Sequence, residues 1–368
     1  MNTRRWGRIH LFCFWLFCFW LFCFSLCSGF AQQNGPAGQV EPPAPPAGVN
    51  RRIALDVVVT DKSGKPVPGL QQPDFTLLDN KQPAKILAFD AVQGGGATAS
   101  PPVEVVLIVD EVNTAFTRVS FERDEVTKFL QRNGGMLEYP TSLVFLTDTG
   151  AEIGKTPSRD GNTLIAEMNQ NKAGLRSITR SQGIYGAGDR VQLSLQALEQ
   201  LASYEATQPG RKLAIWISPG WPLLTGPRID LSSKDEQGLF GTVVGLSDAL
   251  RQARITLYSV DPLGTADAGG FRTLYYETFL KGLKKADQVQ IGNLGLQVLA
   301  VQSGGRVLIS NNDLTGEIVS CVADAKVFYV VTFDGLRGDG PNEYHALEVK
   351  LDKPGLKART RTGYYAQP

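Results

Sequence analysis

The sequence predicts an α/β protein, a mainly parallel sheet flanked by helices, joined to a small β-sandwich made from strands at the two ends of the chain. Three observations carry this expectation. Val103 and Val105 to Val109 form an aliphatic run closed by Asp110, and KLAIWIS (Lys212 to Ser218) and ITLYSV (Ile255 to Val260) repeat the pattern. Such runs read as strands buried on both faces. Helical periodicity lies between them, as in Asp189 to Tyr204, where Val191, Leu195, Leu198 and Leu201 fall on one face. Strand and helix therefore alternate, which implies parallel strands joined by right-handed crossovers. Finally, short segments bounded by Gly, Pro, Asn and Asp occur at both ends of the chain.

The chain begins with an export signature. Arg4, Arg5 and Arg8 precede the apolar stretch Leu11 to Cys27, and Gly29-Phe30-Ala31 supplies a small-x-small cleavage site. Residues 1–31 read as a secretory signal peptide. The apolar stretch falls just short of the about 20 residues that span a bilayer, an uncleaved anchor being the other reading. Cleavage leaves a secreted, periplasmic or envelope protein with no membrane span. It removes every cysteine but Cys321 and every histidine but His345. An intramolecular disulfide and a Cys/His zinc site are then excluded, and nucleophilic catalysis with a histidine base would have to use His345. The 37 basic and 36 acidic side chains of the whole chain become slightly acidic without the three arginines. That leaves no electrostatic footprint for nucleic acid.

Residues 32–50 are rich in Pro, Gly and Ala with few bulky side chains, as expected of an extended tether. In residues 51–93, IALDVVVT (Ile53 to Thr60), FTLLD (Phe75 to Asp79) and KILAFDAV (Lys85 to Val92) read as strands. Three short strands make too small a sheet to stand alone. KVFYVVTFD (Lys326 to Asp334), YHALEVKLD (Tyr344 to Asp352) and LKARTRTGYYA (Leu356 to Ala366) are the expected partners, so residues 326–368 should pack with 51–93. Residues 94–102 form a linker into the domain at 103–325.

In that domain, Val103 to Val109 is the first strand, Val119 to Arg132 a helix, and TSLVFLT (Thr141 to Thr147) the second strand. Ala151 to Thr156 reads as an antiparallel edge, and Asn162 to Asn169 as a short helix. After the helix at Asp189 and the strand at Lys212, Ser233 and Glu236 have capping-box spacing before a helix ending near Arg254. Thr273 to Gln302 reads as largely helical. GGRVLIS supplies a short strand and Asn312 to Ala325 a last helix, with Cys321 as a buried, inert thiol beside Ile318 and Val322.

The strand ending in Asp110, then KLAIWISPG, ITLYSVDPLG and LAVQSGGRVLISNNDLTGEI, resembles von Willebrand factor A (VWFA) domains. The opening DVVVTDKSGKPVPGLQQPDFTLLDN and closing VKLDKPGLKARTRTGYYA are similar to a bacterial, acidobacterial-type VWFA-related family. The resemblance implies a Rossmann-like VWFA domain at 103–325 with a metal-ion-dependent adhesion site at the carboxyl edge of its sheet. That site takes Asp-x-Ser-x-Ser from the first strand, a Thr from a second loop and an Asp after the fourth strand. Hydroxyls and carboxylates there hold Mg2+ or another divalent cation and leave a position open to a partner's carboxylate. Asp110 matches the first Asp and Thr114 the second Ser. Val112 stands at the first Ser, with Asn113 as an imperfect substitute. Tyr185 lies about where the Thr is expected, with Asp189 opening the helix, and Pro219 replaces the second Asp. The implied site is degenerate, and Asp110 and Thr114 are expected to cap the following loop and helix instead.

Other motifs carry less. GIYGAG (Gly183 to Gly188) lacks the Lys-Ser/Thr and the spacing of a phosphate loop and reads as a flexible loop. Glu122 with Asp124, and Asp235 with Glu236, fall at helix starts, where acids favour the macrodipole. Arg337-Gly338-Asp339 reads as hairpin-tip turn chemistry. Trp216 alternates into the core, whereas Trp221 sits at the ligand edge as a candidate contact. These readings point to an exported, non-enzymatic module with no cofactor, binding a protein partner through Asp110, Asn113, Thr114, Tyr185, Asp189 and Trp221. A hydrolase or carbohydrate-active enzyme using carboxylates in the interdomain cleft, and a purely structural envelope protein, are the alternatives.

Overall fold

Alternation at the two chain ends builds a pair of antiparallel sheets. In the computed structural model, residues 51–94, 102–154, 156–171, 184–222, 231–267, 275–309 and 311–368 are described. Residues 1–50, where the signal peptide and tether are expected, most of the expected linker, Gly183 and Leu223 lie outside them. β1 (Arg52–Thr60), β2 (Phe75–Asp79), β3 (Gln82–Pro83) and β4 (Ala88–Gln93) precede the α/β region. β12 (Val327–Asp334), β13 (Glu343–Leu351), β14 (Lys357–Arg359) and β15 (Gly363–Ala366) follow it. One 4-stranded sheet runs β14-β1-β12-β4 and the other β15-β13-β2-β3. β1 pairs antiparallel with β12, and β13 with β2. Ile53, Leu55 and Val57 of β1, Leu77 of β2, Tyr329 and Phe333 of β12 and Tyr364 of β15 share one apolar core. LKARTRTGYYA is not one strand. It splits into β14 and β15, which belong to different sheets, so the chain crosses between them at residues 360–362.

Between these ends the chain runs through β5 (Val103–Asp110), α1 (Phe116–Leu130), β6 (Met136–Thr147), β7 (Gly150–Ile153), β8 (Ser158–Asp160), α2 (Gly161–Gln170), α3 (Ile184–Glu205) and β9 (Arg211–Ile217). It continues with α4 (Ser233–Gln252), β10 (Ile255–Val260), α5 (Leu296–Gln302), β11 (Val307–Leu308) and α6 (Leu314–Val322). The 7-stranded sheet is ordered β11-β10-β9-β5-β6-β7, with β8 also on β6. β11, β10, β9, β5 and β6 pair in parallel, and β7 and β8 add antiparallel to β6. Side chains alternate across the sheet. Val105, Leu107 and Val109 pack with Phe129, Leu164 and Ile318 from α1, α2 and α6. Val106 and Ile108 pack with Leu198, Leu246 and Leu299 from α3, α4 and α5. Among the described residues, no helix is long and apolar enough to cross a membrane.

Several expected boundaries move. Among the described residues, 276–294 hold a succession of short 3-10 turns, and the longer α-helix is confined to Leu296–Gln302. Gly282 lies so close to the Tyr344 ring, and Gly292 to the Phe279 ring, that a Cβ at either would clash at 2.0 and 2.5 Å. These close approaches, not helical periodicity, shape the segment. Ser232 rather than Ser233 caps α4, accepting from the Asp235 N–H at 3.3 Å. The glycine-containing stretch after Gly183 is the start of α3 and not a loop.

Buried ionic contacts fasten the paired sheets to the α/β region. Asp56 on β1 meets Arg254 at 2.5 Å and Arg211 at 4.0 Å. Asp324, after α6, accepts from Arg359 of β14 at 2.5 Å and from the Tyr258 hydroxyl at 2.9 Å.

Candidate functional site

β5 places Asp110 at the carboxyl end of the sheet, beside Leu146 of β6, while Val109 pairs with Ile217 of β9. β6 and β9 lie on opposite sides of β5, so the crossovers diverge here. This is the topological switch point, where open α/β sheets bind ligands. Asp110 is 0% exposed, and its carboxylate is fully engaged. Oδ1 accepts the backbone N–H of Val112 at 3.0 Å and of Asn113 at 2.8 Å. Oδ2 accepts the Asn113 side-chain amide at 2.8 Å and the Trp216 indole N–H at 2.9 Å. The same Asn113 amide nitrogen donates to Ser194 Oγ on α3 at 2.9 Å, and that hydroxyl donates to the Arg190 carbonyl at 2.8 Å. One carboxylate thus links β5, β9 and, through Asn113, α3.

This arrangement does not fit a divalent cation. Binding one at Asp110 would displace N–H donors that already stabilise the charge, in a site with no solvent to replace them. Val112 packs in the core, and Pro219 offers no carboxylate. Among the described residues, no group of three or more His, Cys, Asp or Glu side chains is disposed to hold a metal. Asp110 caps the following loop as expected, but Thr114 caps nothing. The N-cap of α1 is Ala115, and the buried Thr114 hydroxyl faces the Glu122 carboxyl instead.

Trp221 requires a correction. It is 3% exposed and packs edge-on against Trp216, ring centroids 5.3 Å apart at 70°. The pair fills the switch-point crevice, so Trp221 is part of the core under the edge and not a contact surface above it. Tyr185 lies in the first turn of α3, with its side chain outside the described residues, and Asp189 is exposed one turn later.

Glu122, read from the sequence as a helix-start acid, lies beyond the first turn of α1 and inside the core. It is 0% exposed, and no charged group pairs with its carboxyl; only the Thr114 hydroxyl lies close. Burial drives its pKa well above the glutamate value; the nearby Thr114 hydroxyl opposes the rise, and the charges of Asp110, Glu111 and Asp261 add to it. The signal was present, because Glu122 falls between Val119 and Val126 at the helical spacing of the buried face of α1. Glu111, by contrast, is paired with Arg123 at 3.1 Å, and Asp261 accepts the Leu263 N–H at 2.8 Å.

The other sequence candidates for chemistry are engaged structurally. Cys321 is buried, and burial pushes its thiol up to about 12, which makes it a poor nucleophile. His345 sits in the β-sandwich, its Nδ1 2.8 Å from Asp79 Oδ1 and its ring stacked on Tyr364.

No protein-family model matches the chain, and no curated protein matches it in sequence. Among solved structures, it is similar to a mutant PilB minor pilin from Streptococcus sanguinis, at 10% identity and a TM-score of 0.37, covering 76% of this chain and 79% of that one. It is similar to the pilus adhesin SpaC from Lactobacillus rhamnosus GG in an open conformation, at 9% identity and a TM-score of 0.39, covering 81% of this chain and 48% of that one. The N-terminal domain of TFIIH p34 overlaps at 14% identity and a TM-score of 0.28, covering 60% of this chain and 96% of that one. Overlaps this loose bear on neither partner nor activity.

Proposed function

We propose that the chain is an exported, non-catalytic VWFA-like module that recognises a protein partner at the carboxyl edge of its sheet without a metal ion. The observation that carries the proposal is the engagement of Asp110, whose carboxylate receives N–H groups from Val112, Asn113 and Trp216. Those donors neutralise the carboxylate as a cation would, and they hold the edge in one geometry. The strand order, with β5 central and antiparallel strands beyond β6, supports the VWFA-like reading. Among the described residues of the site, Asp189 near the start of α3 is exposed, whereas Asp110, Trp216 and Trp221 are buried.

Capture of partners from an envelope extract, with and without EDTA, tests the proposal. Capture should survive EDTA and fall in a Tyr185→Ala/Asp189→Ala double variant. Capture that requires a divalent cation, or that the double variant leaves unchanged, would contradict it.

A further inference from the structure

The Tyr275–Asn293 segment has a built geometry and a pocket of its own. Long connections held only by short turns are uncommon inside a compact fold and often carry function. This one is anchored from beneath by Leu283, Val289 and Leu294, which pack in the core beside α4 and α5. Gly282 and Gly292 let the Tyr344 and Phe279 rings close onto its backbone. The result is a cavity of about 340 Å³, lined in part by the exposed Lys281 and Lys284. That is the size of a small-molecule site.

The lining selects for acceptors. Its charged groups are the two lysines, while Glu277 and Asp287 of the same segment stay outside it. Among the described residues, neither lysine has an acidic partner within ion-pair distance. The amide oxygens are already used: Gln288 Oε1 accepts the Lys284 backbone N–H at 3.1 Å, and Asn293 Oδ1 accepts that of Gln290 at 2.8 Å. The groups left to face a ligand are the Gln288 amide N–H and the two ammonium groups, which only donate, beside the Tyr275 and Thr278 hydroxyls, which can do either. An aromatic wall completes the site, with Tyr275 packed edge-on against Phe279 at 5.1 Å.

We propose that this pocket binds a small carboxylate carried on a ring, with the acid group on Lys281, Lys284 and the Gln288 amide and the ring against Tyr275. The site is separate from the Asp110 edge and independent of any protein partner there.

Calorimetric titration of the full chain tests it, using benzoate beside benzyl alcohol and glucuronate beside glucose. At least one acid should bind with one-to-one stoichiometry, about tenfold or more tighter than its neutral counterpart, as one charge-assisted hydrogen bond provides. Whichever acid binds identifies an aromatic or a sugar ligand. Lys281→Ala/Lys284→Ala, both at exposed positions, should lose that preference while its circular dichroism spectrum is unchanged, and added salt should weaken wild-type binding. No binding of either acid up to millimolar concentration, equal binding of the neutral counterparts, or unaltered binding by the double variant would overturn the proposal.

Discussion

The indole N–H of Trp216 donates to Asp110 Oδ2 across 2.9 Å, joining two strands whose residues lie far apart in sequence. Both side chains are buried, and Trp221 closes over the indole. In the VWFA-like reading, this bond stands where charge compensation by a metal would otherwise be needed.

Trp216→Phe keeps most of the apolar packing and removes only the donor. Asp110 would then be a buried carboxylate with one acceptor position unfilled, which costs roughly 1–3 kcal/mol. Urea unfolding should show a lower midpoint with an unchanged slope. A wild-type midpoint would mean the bond contributes nothing to stability.

Asp324 is the corresponding link between the paired sheets and the α/β region. Its carboxylate receives Arg359 and the Tyr258 hydroxyl, with Arg306 at 3.6 Å, and it is 4% exposed. Asp324→Asn leaves buried arginine charge uncompensated and should cost roughly 3 kcal/mol in thermal or urea unfolding. Replacing the exposed Asp334, which meets Arg52 at 3.6 Å, should cost little, as surface pairs do.

Three buried glutamates give stability a definite pH dependence. Burial raises Glu122 well above its ordinary value. Burial, reinforced by Glu104 and opposed by Lys212, raises Glu205 to about 7. Burial, opposed by Asn311 and Arg306 and reinforced by Asp261 and Asp313, raises Glu317 to about 7. The native state keeps these protons where the unfolded chain, with pKa near 4.5, has lost them. Stability therefore falls as pH rises from about 4.5 to about 7 and levels off once the native groups ionise. Glu205→Gln or Glu317→Gln should recover at most about 3 kcal/mol each at pH 8, and nothing at pH 4. Glu122→Gln should act in the same direction. Urea midpoints measured across that range decide the matter, and a glutamine variant no more stable than wild type at pH 8 would contradict the assignment.

The strands were legible where burial on both faces left an unbroken apolar run, as in β9 and β10, all of whose residues are buried. Long-range chemistry was not. Nothing local in KLAIWIS says that Trp216 bonds to Asp110, so Trp216 was readable only as core, and Trp221 was placed on a surface it does not reach. Residues 275–295 carry apolar residues at intervals that suit a helix, yet Gly282 and Gly292 are there for contact with Tyr344 and Phe279, which periodicity does not report. Glu122 was legible in principle as an acid on an apolar stripe, but its position near a helix start favoured the surface reading. The break in LKARTRTGYYA follows from a change of sheet, a tertiary event that alternation alone does not mark.

The central claim is that Asp110 is satisfied by protein donors and holds no cation. Isothermal titration of the full chain with Mg2+, Mn2+ and Ca2+, beside an Asp110→Ala variant, tests it most directly. The expected result is no stoichiometric binding that depends on Asp110. Tight one-to-one binding of any of these ions, abolished by Asp110→Ala in a variant that still folds, would contradict it.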